Sequence, residues 1–255
     1  MNLALESVAA AIDRATAELP FSYALYWRRR GEPPILRQNC ALFLSASIIK
    51  APILFAWAYL EAAGVVSSDE VCDLSAEPPV EGAGFSWLLR QTAAPYRDVL
   101  LWMMTVSDNL CANLVIRRIG IARLNETFRG LGLPHARLER KLMDYDARAR
   151  GLENRVSAAD CIRLYELRDA LLPEQRAWIE PMLLWNTDLG LWLRNIPRDT
   201  LAFYHKTGNM PGVLHDWGYT KDVDVFLLAQ DVADERVVYR LLDRLGPLLL
   251  TTNAG

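Results

Sequence analysis

The chain has 255 residues, 52% of them hydrophobic and 23% charged, with a formal net charge of -3. A chain this long and apolar closes over a substantial core, which excludes a disordered protein and predicts one domain over residues 1–255, built as two lobes sharing that core. Basic residues are scattered apart from the run Arg28-Arg29-Arg30, so nucleic acid is not an expected partner.

The opening stretch "MNLALESVAAAIDRATAELP" sets Glu6, Asp13 and Glu18 among its apolar residues. It reads as an amphipathic helix rather than an export signal. The apolar run over 51–66 is broken by Glu61, and no later stretch is long and charge-free enough to cross a membrane. The expectation is a soluble, cytoplasmic, bacterial protein, monomeric or weakly oligomeric. Next, "FSYALYWRRRGEPPILRQNCALFLSA" reads as a β-hairpin around Gly-Glu-Pro-Pro. From Ser47 to about Ile196 apolar residues recur at helical spacing, with Ser157 placed to cap the helix of "SAADCIRLYELRDALL". After Pro197, "TLAFYHKTG", "HDWGYTKD" and "VDVFLLAQDV" read as three strands before a last helix, "ADERVVYRLLDRLGPLLL". Strands at both ends predict one sheet assembled from the two termini: an α/β lobe of residues 1–45 and 198–255, with 46–197 inserted as a helical lobe. The fold class is α/β in its α+β form. Cys40, Cys72, Cys111 and Cys161 lack C-x-x-C pairing and read as reduced, mostly buried thiols.

Three short motifs carry chemistry. In "LSASIIKAP", Ser47 and Lys50 lie three apart, so a helix starting near Ser47 brings hydroxyl and amine onto one face. For Lys50 to act as a base its pKa must fall from about 10.4 towards 7, roughly 4 to 5 kcal/mol of environmental bias, which burial and a second cation can supply. On its own, however, S-x-x-K arises about once by chance in a chain of this length. In "TVSDNLCANL", Ser107, Asp108 and Asn109 are poor helix formers and predict a break in the helix. In "FYHKTGNMPG", Lys206 and Thr207 can hold an anionic group at a strand end, and Gly208 lets a ligand approach the backbone. S-x-x-K, S-D-N and K-T-G in that order arise by chance in only about one chain in several hundred to a thousand.

The triple "SIIK", "SDN", "KTG" resembles that of the penicillin-recognising serine enzymes, and the separation of Ser47 from Ser107 resembles class A β-lactamases. The likeness extends through "EGAGFSWLLRQTAAPYRDVLLWMMTVSDNLCANLVI", "ENRVSAADCIRLYELR" and "HKTGNMPGVLHDWGYT", and covers nearly all of the chain from about residue 20. It implies a β-lactamase-like fold, an antiparallel sheet with flanking helices plus an all-helical lobe, and a serine hydrolase without cofactor or metal. Its substrate would be a small molecule: a β-lactam or a related ester or amide. Carried over residue by residue, Ser47 would be acylated with Lys50 as base, and Ser107 would relay a proton beside Lys206. Asn109 would bond substrate and Lys50, the N–H groups of Ser47 and Asn209 would form the oxyanion hole, Thr207 and Lys206 would receive a carboxylate where the substrate has one, and Gly208 would let the substrate approach the strand.

The pattern is broken in "RLERKLMDYDARARGLENR", which lacks the E-x-x-L-N that carries the family's deacylating glutamate. Counting from Ser107 or Ser157 leads to residues 142–144 and to Asp144 as the nearest carboxylate, ahead of Glu139, Asp146 and Glu153. Asp144 is expected either as the deacylation base or as a helix cap. Without the glutamate, β-lactam turnover is expected to be impaired while acylation stays intact. A non-hydrolytic, penicillin-binding-like ligand trap or sensor and an intracellular acyltransferase are the alternatives. "HDWGYT" supplies His215 and Asp216 and no arginine on the strand after the third motif. His205 and His215 flank the third motif and are expected as structural histidines ahead of substrate contacts, and Trp87, Trp102, Trp185, Trp192 and Trp217 as core residues ahead of the lining of a less polar pocket. The absence of G-x-S-x-G argues against a Ser-His-Asp α/β-hydrolase.

Overall fold

A computed structural model describes residues 3–197 and 199–251. In chain order it contains α1 (Leu3–Thr16), β1 (Ser22–Arg29), β2 (Ile35–Gln38), β3 (Phe43–Leu44), a 3-10 turn over Ala46–Ile49, α2 (Lys50–Ala62), β4 (Val71–Asp73), a 3-10 turn over Ser86–Leu88 and β5 (Ala93–Pro95). Then come α3 (Tyr96–Thr105), α4 (Asn109–Ile119), α5 (Ile121–Gly130), α6 (Tyr145–Ala149), β6 (Arg155–Val156), α7 (Ala158–Asp169) and α8 (Pro173–Leu184). The chain returns through β7 (Tyr204–Met210), β8 (Val213–Tyr219), β9 (Val223–Gln230) and α9 (Glu235–Thr251).

The main sheet is antiparallel throughout, in the order β2-β1-β9-β8-β7. The two ends of the chain meet in its centre, where β1 pairs with β9 from Ser22↔Gln230 to Arg29↔Val223. These strands look almost continuously apolar because successive side chains enter different cores. Tyr26, Trp217, Phe226 and Leu228 face the core shared with the middle helices. Leu25, Trp27, Leu214, Val225 and Leu227 face the core closed by α1 and α9. Burying one such side chain is worth about 1.5–3 kcal/mol, so each strand contributes to both layers.

Helix α2 runs through the first of these cores, buried on nearly all sides from Lys50 to Ala58. Pro52 sits in its first turn, where a missing N–H breaks no helical hydrogen bond. The interruption expected at Ser107-Asp108-Asn109 separates α3 from α4, and Ser157 caps α7 in a reciprocal capping box with Asp160. Besides its helices the middle segment carries the short ladder of β4 with β5, and its strand β6 pairs with β3 just ahead of the segment. The pairing Phe43↔Val156 brings the loop preceding β6 beside the segment that leads into Ser47. Three asparagines fix that loop by pairing with its backbone. Asn125 bonds both N and O of Leu138, and Asn113 both N and O of Leu142. The Asn154 amide takes the N–H groups of Glu139 and Arg140 and donates to Arg140 O. Among the described residues no helix is long and apolar enough to cross a membrane, and no cluster of three metal-ligating side chains occurs.

Candidate active site

Ser47 lies in the 3-10 turn, and Lys50 opens α2 one turn later with no exposed surface. Lys50 Nζ is surrounded by Ser47 Oγ at 3.1 Å, Ser107 Oγ at 3.1 Å, Ser107 O at 2.5 Å and Asn109 Oδ1 at 2.8 Å. Two of these atoms, the carbonyl of Ser107 and Asn109 Oδ1, can only accept; Asn109 Nδ2 is committed to Glu81 O. A neutral amine therefore satisfies both with its two protons and keeps its lone pair for a hydroxyl proton. Burial first, and then the charge of Lys206, push Lys50 well below the usual lysine range, against a smaller opposing pull from Asp108. Lys206 Nζ bonds Ser107 Oγ at 3.0 Å and Thr207 O at 2.7 Å, so the Ser107 hydroxyl bridges the two amines. Burial lowers Lys206 to about 8, while Asp188 and Asp216 pull it back upward.

Local backbone produces this convergence. Ser107 adopts φ +57°, which turns its carbonyl and its hydroxyl towards the same lysine; the conformation costs energy for a residue with a side chain. Asp108, fully buried, caps α4 through Cys111 N and accepts from Phe85 N, Ser86 N and Ser86 Oγ. A single carboxylate thus holds the 82–88 segment against the helix break. At Gly84, with φ +83°, an added Cβ would fall within 2.5 Å of both the carboxylate and the Cα of Asp108, so only glycine fits. On the far side, β7 is an edge strand whose Gly208 abuts the nucleophile's turn; a Cβ there would stand 3.1 Å from Ser47 N. The segment before Ser47 is clasped at Leu44, whose N–H is bonded by Gln230 Oε1 at 2.9 Å and whose carbonyl accepts from His215 Nε2 at 2.8 Å.

Of the residues singled out from sequence, Ser47, Lys50, Ser107, Asn109 and Lys206 meet in one hydrogen-bonded group. Gly208 and Asn209 border it from β7, and Thr207, between Lys206 and Gly208, is almost wholly buried. Asp144 stays apart. Its carboxylate caps α6 through Ala147 N at 2.9 Å, and it lines a neighbouring depression with Glu77, Glu81 and Lys141 rather than the cleft at Ser47. That cleft, about 290 Å³, runs from Ser47 and Asn109 to the loop before β6. Leu142 and Met143 line it where the count from the motifs had led, and Met143 is held at φ +61°. None of the five tryptophans lines it: Trp192 and Trp217 are core, whereas Trp185 is 70% exposed. Of the charged residues that do line it, sequence reasoning passed over Arg140 and Arg148 and gave Glu153 a lower rank. Glu153 had ranked behind Asp144 because it is farther along the chain, yet the β3–β6 ladder folds it back to the cleft. Its carboxylate is tied to Arg140 Nη2 and Arg148 Nε, each at 2.8 Å. His205 and His215 are buried, His205 against Asp216 at 3.0 Å.

Fold and site together define a serine hydrolase of the β-lactamase and penicillin-binding type. A family model described as "Beta-lactamase enzyme family" matches residues 12–229, and the chain belongs to that family. The fold is similar to that of a β-lactamase from Sphaerobacter thermophilus DSM 20745, with TM-score 0.80, 21% identity and 95% of each chain covered. It is equally similar to PBP-A, with TM-score 0.81, 21% identity and 95% of each chain covered. A variant of PBP-A described as an acyl-enzyme complex with penicillin G matches with TM-score 0.81 and 20% identity, over 95% of this chain and 96% of that one. No curated protein matches the chain.

Proposed function

We propose that the protein acylates itself on Ser47 with a β-lactam or a related amide or ester, and releases the acyl group slowly. The observation that carries this reading is the surroundings of Lys50 Nζ, a buried amine beside a second cation and 3.1 Å from the Ser47 hydroxyl. Ser47 Oγ bonds to the substrate carbonyl carbon as its proton passes to neutral Lys50. The oxyanion forms between the N–H of Ser47 and that of Asn209, which lies on the open edge of β7. As the bond from carbon to the leaving nitrogen or oxygen breaks, Ser107 Oγ protonates the leaving atom and is recharged by Lys50. The ammonium of Lys206 steadies Ser107, Asn109 positions Lys50 and the substrate, and Thr207 and Gly208 flank the leaving-group side.

Slow release follows from the carboxylates near the cleft. A deacylating base needs a free carboxylate within reach of a water on the ester. Asp144 is a helix cap outside the cleft, and Glu153 is neutralised by two guanidinium groups. Penicillin G, the acyl donor of the PBP-A variant, is a natural probe. Intact mass after incubation with penicillin G or p-nitrophenyl acetate is expected to show one acyl adduct, persisting for many turnovers' time and missing from Ser47→Ala. An unchanged mass with every acyl donor sinks the proposal; rapid loss of the adduct in buffer overturns slow release alone. Release accelerated by added amines or alcohols would identify acyl transfer as the physiological outcome.

A further inference from the structure

Resting on the acyl-Ser47 reading, we infer that the cleft selects acyl donors whose acyl portion ends in an anionic group, a carboxylate or its like, received by Arg148. The cleft begins at Ser47 and extends to the loop before β6, and neither Ser107, Lys206 nor Thr207 lines it. A leaving group must lie towards Ser107 to take its proton. The acyl portion therefore fills the cleft, and its far end meets the loop.

The charged side chains lining that end are Arg140, Arg148 and Glu153. Two guanidinium groups share one carboxylate, which leaves an excess of one positive charge in a protein whose net charge is -3. The excess belongs to Arg148. Arg140 is 10% exposed, with its donors spent on Leu152 O, Lys141 O and Glu153. Arg148, 40% exposed, stands with Nε 2.8 Å from Glu153 Oε1 as an ion pair, and its guanidinium donates no hydrogen bond to another side chain or carbonyl among the described residues. Held beside Glu153 by that ion pair, the guanidinium keeps its two terminal nitrogens as a fork, the geometry that pairs with a carboxylate. Tyr145, 62% exposed on the same rim, adds a hydroxyl whose one hydrogen-bond partner among the described residues is the sulfur of Met143, at 3.9 Å. At the opposite end, Asp188 and Asp216 bear on Lys206 and no arginine stands on β8, so an anion gains less there.

The test compares two esters of one shape, the p-nitrophenyl esters of 4-carboxyphenylacetic acid and of 4-carbamoylphenylacetic acid, by the rate of acylation at low ester concentration. Each reaction forms acyl-Ser47 and releases p-nitrophenol. The anionic ester is expected to react about tenfold faster, as befits a hydrogen-bonded charge pair, with the advantage shrinking as salt is added. In Arg148→Ala the ratio of the two rates is expected to fall to about one, and in Arg148→Lys to recover in part. Equal rates in the native protein, or a ratio unmoved by Arg148→Ala, overturn the inference. If neither ester labels Ser47, calorimetry still decides the anion site, while the acylation reading itself fails only if penicillin G and p-nitrophenyl acetate leave the mass unchanged as well. Tighter binding of 4-carboxyphenylacetamide than of its carbamoyl counterpart, abolished in Arg148→Ala, supports it; equal binding overturns it.

Discussion

At the scale of single residues, the site depends on two lysines kept out of water together. Each would hold its proton alone in solvent, and each loses affinity for it through burial, Lys50 more so because Lys206 stands next to Ser107 as a second charge. Replacing Lys206 by methionine keeps the volume and removes that charge. Lys50 should then bind its proton more tightly, moving the ascending limb of the pH–acylation profile to higher pH and slowing the reaction at neutrality. A descending limb near pH 8 in the native protein, where Lys206 deprotonates, should vanish in the same variant. Burst kinetics of p-nitrophenol release across the neutral and alkaline range measure both limbs. An ascending limb unmoved by Lys206→Met would mean that burial alone prepares Lys50. This chemistry was only partly legible beforehand: Ser47 and Lys50 were readable as a pair from their spacing, but four partners on one Nζ required Ser107 to take a left-handed conformation, which no residue pattern announces.

At the scale of elements, the loop before β6 separates what spacing can show from what it cannot. Counting from the motifs led to residues 142–144, and Leu142 and Met143 do line the cleft. The side chain of Asp144 goes elsewhere because α6 starts at the next residue and its free N–H groups need an acceptor. Glu153 and Arg148 reach the cleft by a fold-back held by Asn113, Asn125 and Asn154, whose amides pair with backbone far off in sequence and leave no local signature. Asp144→Ala should cost about 1 kcal/mol of stability, Asp144→Asn much less, and neither should change the lifetime of the acyl-enzyme. Urea midpoints and the decay of the adduct by mass measure the two effects; a longer-lived adduct in Asp144→Asn would return Asp144 to the chemistry. The clasp on Leu44 makes a second prediction. His215 Nδ1 accepts from Ala229 N and Nε2 donates to Leu44 O, so the ring is neutral, and burial holds it down at about 4 against 6.5 in the open. The unfolded chain binds a proton that the folded one refuses between those values. This contribution is therefore whole above pH 6.5 and is lost as pH falls towards 4, by roughly 3 kcal/mol. Stability curves of the native protein and His215→Asn should converge over that interval, and parallel curves would deny the histidine this role.

At the scale of the molecule, the sheet that carries Lys206 and Gly208 is assembled from both ends of the chain, and the helix break that holds Ser107, with the helix that Asn109 opens, comes from the middle. This arrangement was legible because strand-like runs occur at the two ends of the sequence and helical spacing fills the interval. The joint between them was not, since it depends on charges that only the fold brings together. Asp224 of β9, 1% exposed, accepts from Arg28 of β1 at 2.5 Å and from Arg168 of α7 at 2.5 Å. Arg168 is itself 1% exposed and lies over the ring of Tyr219 on β8, 4.4 Å from its centroid. One carboxylate thus joins the first strand, the last strand and a middle helix. A buried ion pair contributes little over a hydrophobic replacement, but losing one partner leaves the other charge stranded. Asp224→Ala should therefore destabilise the protein by about 3 to 5 kcal/mol, lowering the urea midpoint without a direct effect on Ser47. The double variant Asp224→Ala with Arg168→Met should recover much of the loss, because the fully buried unpaired charge is then gone and Arg28, whose side chain is 31% exposed, can turn to solvent. Equal stability of the single and double variants would mean that Arg168 finds water or Asp169 as a sufficient partner, and that the joint is held by apolar packing alone.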